Sequence, residues 1–294
     1  MQRLHLVAVL HRVVFKQSKQ WLKGEVCVTA DFSYQEEWDA AEDAARAAGS
    51  IIMGLFKGNF DVREKSKGNP VTTADIAANR KIREIISGKF PGDGWLSEED
   101  QDNAKRLGCS RIWIIDPIDG TKEFIEGVPQ FAVSIGFVVD GRPAVAAVYN
   151  PAQELFYKAA AGQGAYLNGK RIQVSRRSSL DGALLLVSRS EPQRRFQVFV
   201  DHCEIQQVGS IAFRLAKVAG GDGDGTLTFR SIHEWDICAG TLMVLEAGGK
   251  VIEGAGDGLI FNRQQAKHRG VVAANADLAY RLQGLWVEAM AGKS

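Results

Sequence analysis

The sequence predicts a mixed α/β protein, an α+β first half joined to an α/β second half. Three observations predict it. Two helical patterns with capping boxes come first, a hairpin signature spans residues 131–149, and strand and helix patterns alternate from about residue 180. With 294 residues, 45% hydrophobic and 24% charged, the chain suits one large domain or two packed halves with a sizeable core. The expected organisation is a basic extension over 1–30, an α+β half over 31–176 and an α/β half over 177–294.

The extension holds Arg3, Arg12, Lys16, Lys19 and Lys23 against a single acid, Glu25. Basic and acid-poor, it reads as an organelle-targeting peptide, a frayed tail or a translation start placed too early. Ser33-Tyr34-Gln35-Glu36 then has capping-box form, and Ala41, Ala45, Ala48, Ile52 and Leu55 recur at helical spacing, so a helix fits 34–56. Asn69-Pro70 breaks the pattern. Thr72 and Asp75 make a second capping box, Ile76, Ile82, Ile85 and Ile86 supply an apolar stripe to Ser87, and Gly88 and Pro91 end it.

Ile112–Ile115 reads as a fully buried strand. Phe131–Val139, the Asp140-Gly141 turn and Ala144–Tyr149 read as a β-hairpin. Glu154–Ala159 and Arg171–Val174 add antiparallel strands. Beyond them, Leu184–Val187, Ile205–Val208 and Val271–Ala274 read as strands, and 192–200, Ser210–Ala219, Trp235–Ala247 and 276–290 as helices.

A formal net charge of +1 creates no global field for nucleic acid or acidic membranes, and no uninterrupted apolar stretch is long enough to span a bilayer. The four cysteines are scattered, which argues for a reducing, cytoplasmic setting and against a disulfide framework or zinc site.

The chemistry concentrates at residues 111–124. An apolar run stops on Asp116, Pro117 interrupts the strand, and Asp119 follows in front of Gly120-Thr121. The turn can aim both carboxylates and the Ile118 carbonyl at one point. Three oxygens in four residues form a hard-cation ligand set suited to Mg²⁺. Gly120 and Thr121 present backbone N–H groups that can receive phosphate oxygens. Asp119-Gly120 alone reads as a tight turn; with Asp116, Pro117 and Thr121 the stretch reads as a metal–phosphate site. Taken singly, Glu98 belongs to a solvated acidic loop over 96–100, and Asp75 and Asp236 are helix caps. Such acids gathered together would repel, and bound Mg²⁺ would relieve this and make water a nucleophile near neutral pH.

Asn69-Pro70-Val71-Thr72-Thr73-Ala74-Asp75, Ser97-Glu98-Glu99, Asp116-Pro117-Ile118-Asp119-Gly120-Thr121, and Trp235-Asp236 with Glu246-Ala247-Gly248-Gly249 occur in this order. Through them the chain resembles, over about 33–290, the inositol monophosphatase superfamily of Mg²⁺-dependent, lithium-sensitive phosphatases. The resemblance implies a layered αβαβα sandwich of the inositol monophosphatase / fructose-1,6-bisphosphatase type. It implies two or three Mg²⁺ per site: Glu98, Asp116 and the Ile118 carbonyl on the first, Asp116, Asp119 and Asp236 on the second, Glu98 also on a looser third. It further implies that Thr121 and Asp75 orient and deprotonate the attacking water, and that the Gly120 and Thr121 amides receive the phosphate. The partner would be a small phosphate ester. Superfamily members are often dimeric, which makes a homodimer the assembly to test.

Lys122-Glu123-Phe124, Gly209-Ser210 and Glu234 resemble the 3'(2'),5'-bisphosphate nucleotidase branch, so the expected substrate is adenosine 3',5'-bisphosphate, giving AMP and phosphate. One departure stands out: where nucleotidases often carry a lysine past Gly-Ser, this chain has Phe213 followed by Arg214. Arg230 can supply the cation for a second phosphate. The runner-up is an inositol-1(or 4)-monophosphatase or a broad sugar-phosphate phosphatase. A non-catalytic metal- or nucleotide-binding protein is disfavoured, because Thr121 and Asp75 together form a water-activating pair that a mere binder does not need.

Overall fold

The computed structural model describes residues 33–291 apart from 67, 255 and 257, so the extension expected over 1–30 lies outside the described residues. Helix α1 (Gln35–Leu55) buries Ala40, Ala41, Ala44, Ala45, Ala48 and Ile52. Its N-cap is Tyr34, with no side-chain cap, so the capping box expected at Ser33 does not form; the Tyr34 carbonyl simply accepts from Trp38 N at 2.9 Å. A two-stranded hairpin follows, β1 (Val62–Ser66) with β2 (Asn69–Thr72), placed where the sequence pattern showed only a break.

Helix α2 (Thr73–Lys89) starts as expected. Thr72 Oγ1 accepts from Ala74 N and Asp75 N, while the Asp75 carboxylate accepts from Thr72 N. Strand β3 (Gly94–Ser97) runs parallel to β4 (Arg111–Asp119), so the acidic stretch at 96–100 is anchored by a strand and is not simply a loop. Strand β4 is buried from Ile112 to Asp119. It runs past Pro117, where the sequence predicted an exit; the pairing with the next strand breaks over 117–118 and resumes at Asp119.

After the short α3 (Thr121–Ile125) come β5 (Ala132–Val139) and β6 (Arg142–Asn150), joined through Asp140 and Gly141 at φ 49° and 76°, the left-handed pair a tight hairpin requires. Strands β7 (Leu155–Ala160), β8 (Gly164–Leu167) and β9 (Lys170–Ile172) complete a seven-stranded sheet in the order β3-β4-β5-β6-β7-β8-β9.

The second sheet is built from β10 (Ala183–Ser188), β11 (Cys203–Val208), β12 (Gly225–His233), β13 (Gly249–Glu253) and β14 (Lys267–Asn275), in the order β11-β10-β12-β14-β13. The expected alternation holds, but the sheet is mixed: β10 lies parallel to β11 and β12, and β14 antiparallel to β12 and β13. Strands β12 and β13 were not foreseen. Its helices are α4 (Gln197–Val200), α5 (Ile211–Ala219), α6 (Glu234–Glu246) and α7 (Ala276–Ala291).

Helices α1 and α2 cover one face of the first sheet, α5 and α6 lie between the sheets, and α7 covers the outer face of the second. This gives five alternating layers, αβαβα. The main core surrounds α5 and α6, where Phe213, Leu215, Ile237, Leu242 and Met243 meet Ile114, Val138, Val148 and Tyr157. Among the described residues no helix is long and apolar enough to cross a membrane.

Candidate active site

Asp116 and Asp119 pair with Ser134 and Ala132 of β5, so three steps on one strand match two on the other. Residues three apart on an unbroken strand face opposite sides. The extra residue forms a bulge that brings Asp119 round to the side of Asp116. Pro117 sits inside the bulge, where no ladder donor is needed. Asp116 Oδ1 accepts from Ile118 N at 3.0 Å, which fixes the turn. Gly120 then takes φ 98°, and a side chain there would meet the Gln130 carbonyl at 3.1 Å.

Two distant elements bring acids to this tip. Glu98 follows β3, and its N–H donates to the Ile115 carbonyl at 3.1 Å, which extends the β3–β4 ladder towards Asp116. Asp236 lies in the first turn of α6 and accepts from His233 N at 3.0 Å. Glu98, Asp116 and Asp236 place carboxylate oxygens within 4.8 Å of one another. Burial, then the charges of Glu98, Asp119, Asp236 and Asp75, raise the Asp116 pKa well above the usual carboxylate range. Burial and the charges of Asp119 and Glu98 do the same to Asp236. An all-oxygen set of mutually repelling carboxylates fits a hard divalent cation, which would neutralise it.

Asp119 stands beside this trio and is held from behind. Its Oδ2 accepts from Ser210 Oγ and Ala212 N, both at 2.6 Å, at the start of α5. Burial pushes its pKa up to about 6 against these bonds and the Arg214 charge. Thr121 Oγ1 donates within reach of Asp75 Oδ1 at 3.0 Å and the Ile118 carbonyl at 3.1 Å. The other Asp75 oxygen is occupied by Thr72 N at 2.7 Å and Thr72 Oγ1 at 2.6 Å. Burial raises the Asp75 pKa despite these bonds.

Two of the stretches singled out for substrate, 122–124 and 209–210, meet at Glu123. Lys122 is exposed on α3, next to the buried Glu123. Gly209 abuts Glu123 so closely that a Cβ would lie 2.4 Å from Glu123 Cγ, and Gly209 N donates to Gln130 Oε1 at 2.9 Å. Arg189 joins the group through Glu123 at 3.2 Å and Glu126 at 2.9 Å. Arg230 is exposed and donates to the Ser190 carbonyl. Phe213 is buried in the core, and Arg214 behind it is buried near Glu191, Asp119 and Glu123, with Nε and Nη1 lacking hydrogen-bond partners among the described residues.

Two motif acids serve the scaffold. Glu234 accepts from Asn262 N and Arg263 N at 2.7 and 2.9 Å, and Glu246 from Gly162 N and Gly164 N at 2.9 Å. Sequence reasoning assigned Thr72 only a capping role and passed over Arg189 and Lys65, whose acid partners Glu123, Glu98 and Glu99 lie 33 or more residues away in the chain. Thr72 was the one detectable case, since its capping box already tied it to Asp75.

The inositol monophosphatase family model matches residues 34–291. Inositol monophosphatase 2 of Solanum lycopersicum is 34% identical over 259 residues, covering 83% of this chain and 95% of that protein. The Nus factor SuhB of Pseudomonas aeruginosa is 36% identical over 227 residues, 72% of this chain and 83% of that one. The solved structure of an IMPase from Thermotoga maritima superposes with a TM-score of 0.77 at 29% identity, over 88% of this chain and 99% of the other.

Proposed function

This chain belongs to the inositol monophosphatase family and is a phosphoric monoester hydrolase, and we propose that it is a Mg²⁺-dependent 3'(2'),5'-bisphosphate nucleotidase acting on adenosine 3',5'-bisphosphate. One observation supports this substrate over others. The Lys122-Glu123-Phe124 turn and Gly209-Ser210, distant in the chain, are in contact through Glu123, and Arg189 is fixed to the same acid. Beside Arg189, Arg230 is anchored on the Ser190 carbonyl. A flank with three cations, Lys122, Arg189 and Arg230, suits a substrate with a second phosphate.

In this reading Glu98, Asp116, Asp119, Asp236 and the Ile118 carbonyl hold the metal. Bound Mg²⁺ would polarise the phosphoryl group and lower the pKa of the attacking water. The chain's own residues do the rest. Asp75 is oriented by Thr72, so one oxygen faces Thr121. The water gives its proton to Thr121 Oγ1 as the Thr121 proton passes to Asp75, whose raised pKa suits a base working nearer neutrality. The Gly120 and Thr121 amides position the phosphoryl oxygens. The described cysteines, Cys109, Cys203 and Cys238, are free, which suits the reducing, cytoplasmic setting expected from the sequence, and a homodimer stays the assembly to test.

A second reading, an inositol or broad sugar monophosphatase, is favoured by the burial of Phe213 at the place where nucleotidases often have lysine, and by relatives that carry inositol phosphatase names. The deciding experiment is a phosphate-release panel of adenosine 3',5'-bisphosphate, inositol 1-phosphate and fructose 1,6-bisphosphate with Mg²⁺, with and without Li⁺. The bisphosphate nucleotide should have the highest kcat/KM and Li⁺ should suppress it. Preference for inositol 1-phosphate would move the assignment to the second reading.

A further inference from the structure

Among the described residues Lys65 is the lysine whose ammonium contacts an acid of the trio, and the proposed chemistry makes no use of it. It projects from β1, whose five residues are all exposed and which pairs with β2 alone. Its ammonium lies 2.7 Å from Glu98 Oε1 and 2.8 Å from Glu99 Oε1. The contact spans 33 residues of sequence, so it is a tertiary clasp and not a local pair. The Lys65 side chain is 26% exposed, whereas that of Glu99 is only 2% exposed. Lys65 therefore sets an ammonium on an exposed hairpin and clamps it to a member of the trio.

Glu98 thus has two claimants. A divalent ion shared with Asp116 and Asp236 would sit about 2 Å from a Glu98 oxygen. An ammonium on the same carboxylate would be a few ångströms from that ion in a part-buried site, where like charges repel strongly. Glu99 offers the ammonium a second acceptor that does not belong to the trio. Taking as given the metal reading of the site above, we propose that Lys65 is a tethered competitor of the divalent cation at Glu98, with Glu99 as the carboxylate that receives the ammonium when the metal binds. Lys65 is then a positioning residue that lowers metal affinity and couples metal loading to the β1–β2 hairpin. By reciprocity the ion weakens the hairpin's hold on Glu98 by the same factor as Lys65 weakens the ion.

The test is Mg²⁺ titration by isothermal calorimetry on the full chain, with thermal unfolding in EDTA and in saturating Mg²⁺. Lys65→Met should bind Mg²⁺ about 5-fold or more tightly than wild type, the lower end of ordinary coupling between sites. It should lower Tm in EDTA, where the clasp is lost, and not in Mg²⁺. Lys65→Arg, which keeps the charge, should restore the wild-type affinity. Glu99→Gln should weaken Mg²⁺ binding, since the ammonium then has only Glu98. Unchanged or weaker Mg²⁺ binding by Lys65→Met, with Tm falling equally in both conditions, would make Lys65 a structural clasp and overturn the proposal while leaving the metal reading intact. Wild-type protein that binds no Mg²⁺ would overturn both.

Discussion

Thr121 Oγ1 and Asp75 Oδ1 lie 3.0 Å apart although 46 residues separate them, one in the turn after β4 and the other in the first turn of α2. The same Asp75 caps its own helix with its second oxygen. One carboxylate thus secures the helix start and faces a hydroxyl at the catalytic tip. If this pair activates water, Thr121→Ala should lower kcat by about 10²-fold or more with little change in KM. Asp75→Asn should do the same, and the double variant should be little worse than either single one, because the two act as a unit. A Thr121→Ala enzyme with raised KM and near-normal kcat would reduce Thr121 to a phosphate clamp.

Asp116 is the centre of the acid group, and its effect should be correspondingly large. Asp116→Asn keeps the shape and removes the charge. Steady-state phosphate release should fall about 100-fold or more, equivalent to about 2.7 kcal/mol of transition-state stabilisation. Retention of most activity at saturating Mg²⁺ would show that the trio is not the metal seat.

The buried acids also set a pH dependence of stability. Burial raises Asp116 and Asp236 well above the carboxylate range, Asp119 to about 6 and Glu99 to about 7. Each group holds its proton more tightly in the folded state than in the unfolded chain. From the unfolded carboxylate values near 4 up to about 7, the folded protein binds more protons, so its stability falls as pH rises through that window. In EDTA, Tm should be higher at pH 5 than at pH 7.5. Added Mg²⁺, which replaces those protons, should raise Tm more at pH 7.5 than at pH 5. A Tm in EDTA that climbs over this range would contradict the repulsive acid site.

Gly209 tests the specificity flank. An alanine Cβ would lie 2.4 Å from Glu123 Cγ and 2.7 Å from the Gln130 carbonyl, so Glu123 and its Arg189 partner must move. Gly209→Ala should cost about 1–3 kcal/mol of stability by overpacking. It should also lower kcat/KM for adenosine 3',5'-bisphosphate about 10-fold more than for a monophosphate. Equal loss on both substrates would remove this flank from substrate selection.

Much of this was legible in the linear chain. The Thr72–Asp75 box, the buried run into Asp116 and the Asp140-Gly141 turn are local codes, and each formed where its residue types require. Strands β12 and β13 were not legible: Gly225–His233 follows a glycine- and aspartate-rich stretch that reads as loop, and Gly249–Glu253 is short and half-polar, so pairing with β14 decides both. Ser33 satisfied the capping pattern and yet caps nothing, because α1 begins beyond it.

The sequence by itself determined which acids exist, that Asp116 ends a buried run, and that Thr121 follows a glycine able to turn left-handed. Tertiary structure alone decided that Glu98 and Asp236 converge on Asp116, that Ser210 and Ala212 hold Asp119 from behind, and that Lys65 reaches across to Glu98. The reason is physical. Capping, turns and burial are governed by neighbours within a few residues, whereas convergence of charges depends on strand register, the bulge at Pro117 and the docking of α6 between two sheets, none of which a local pattern encodes.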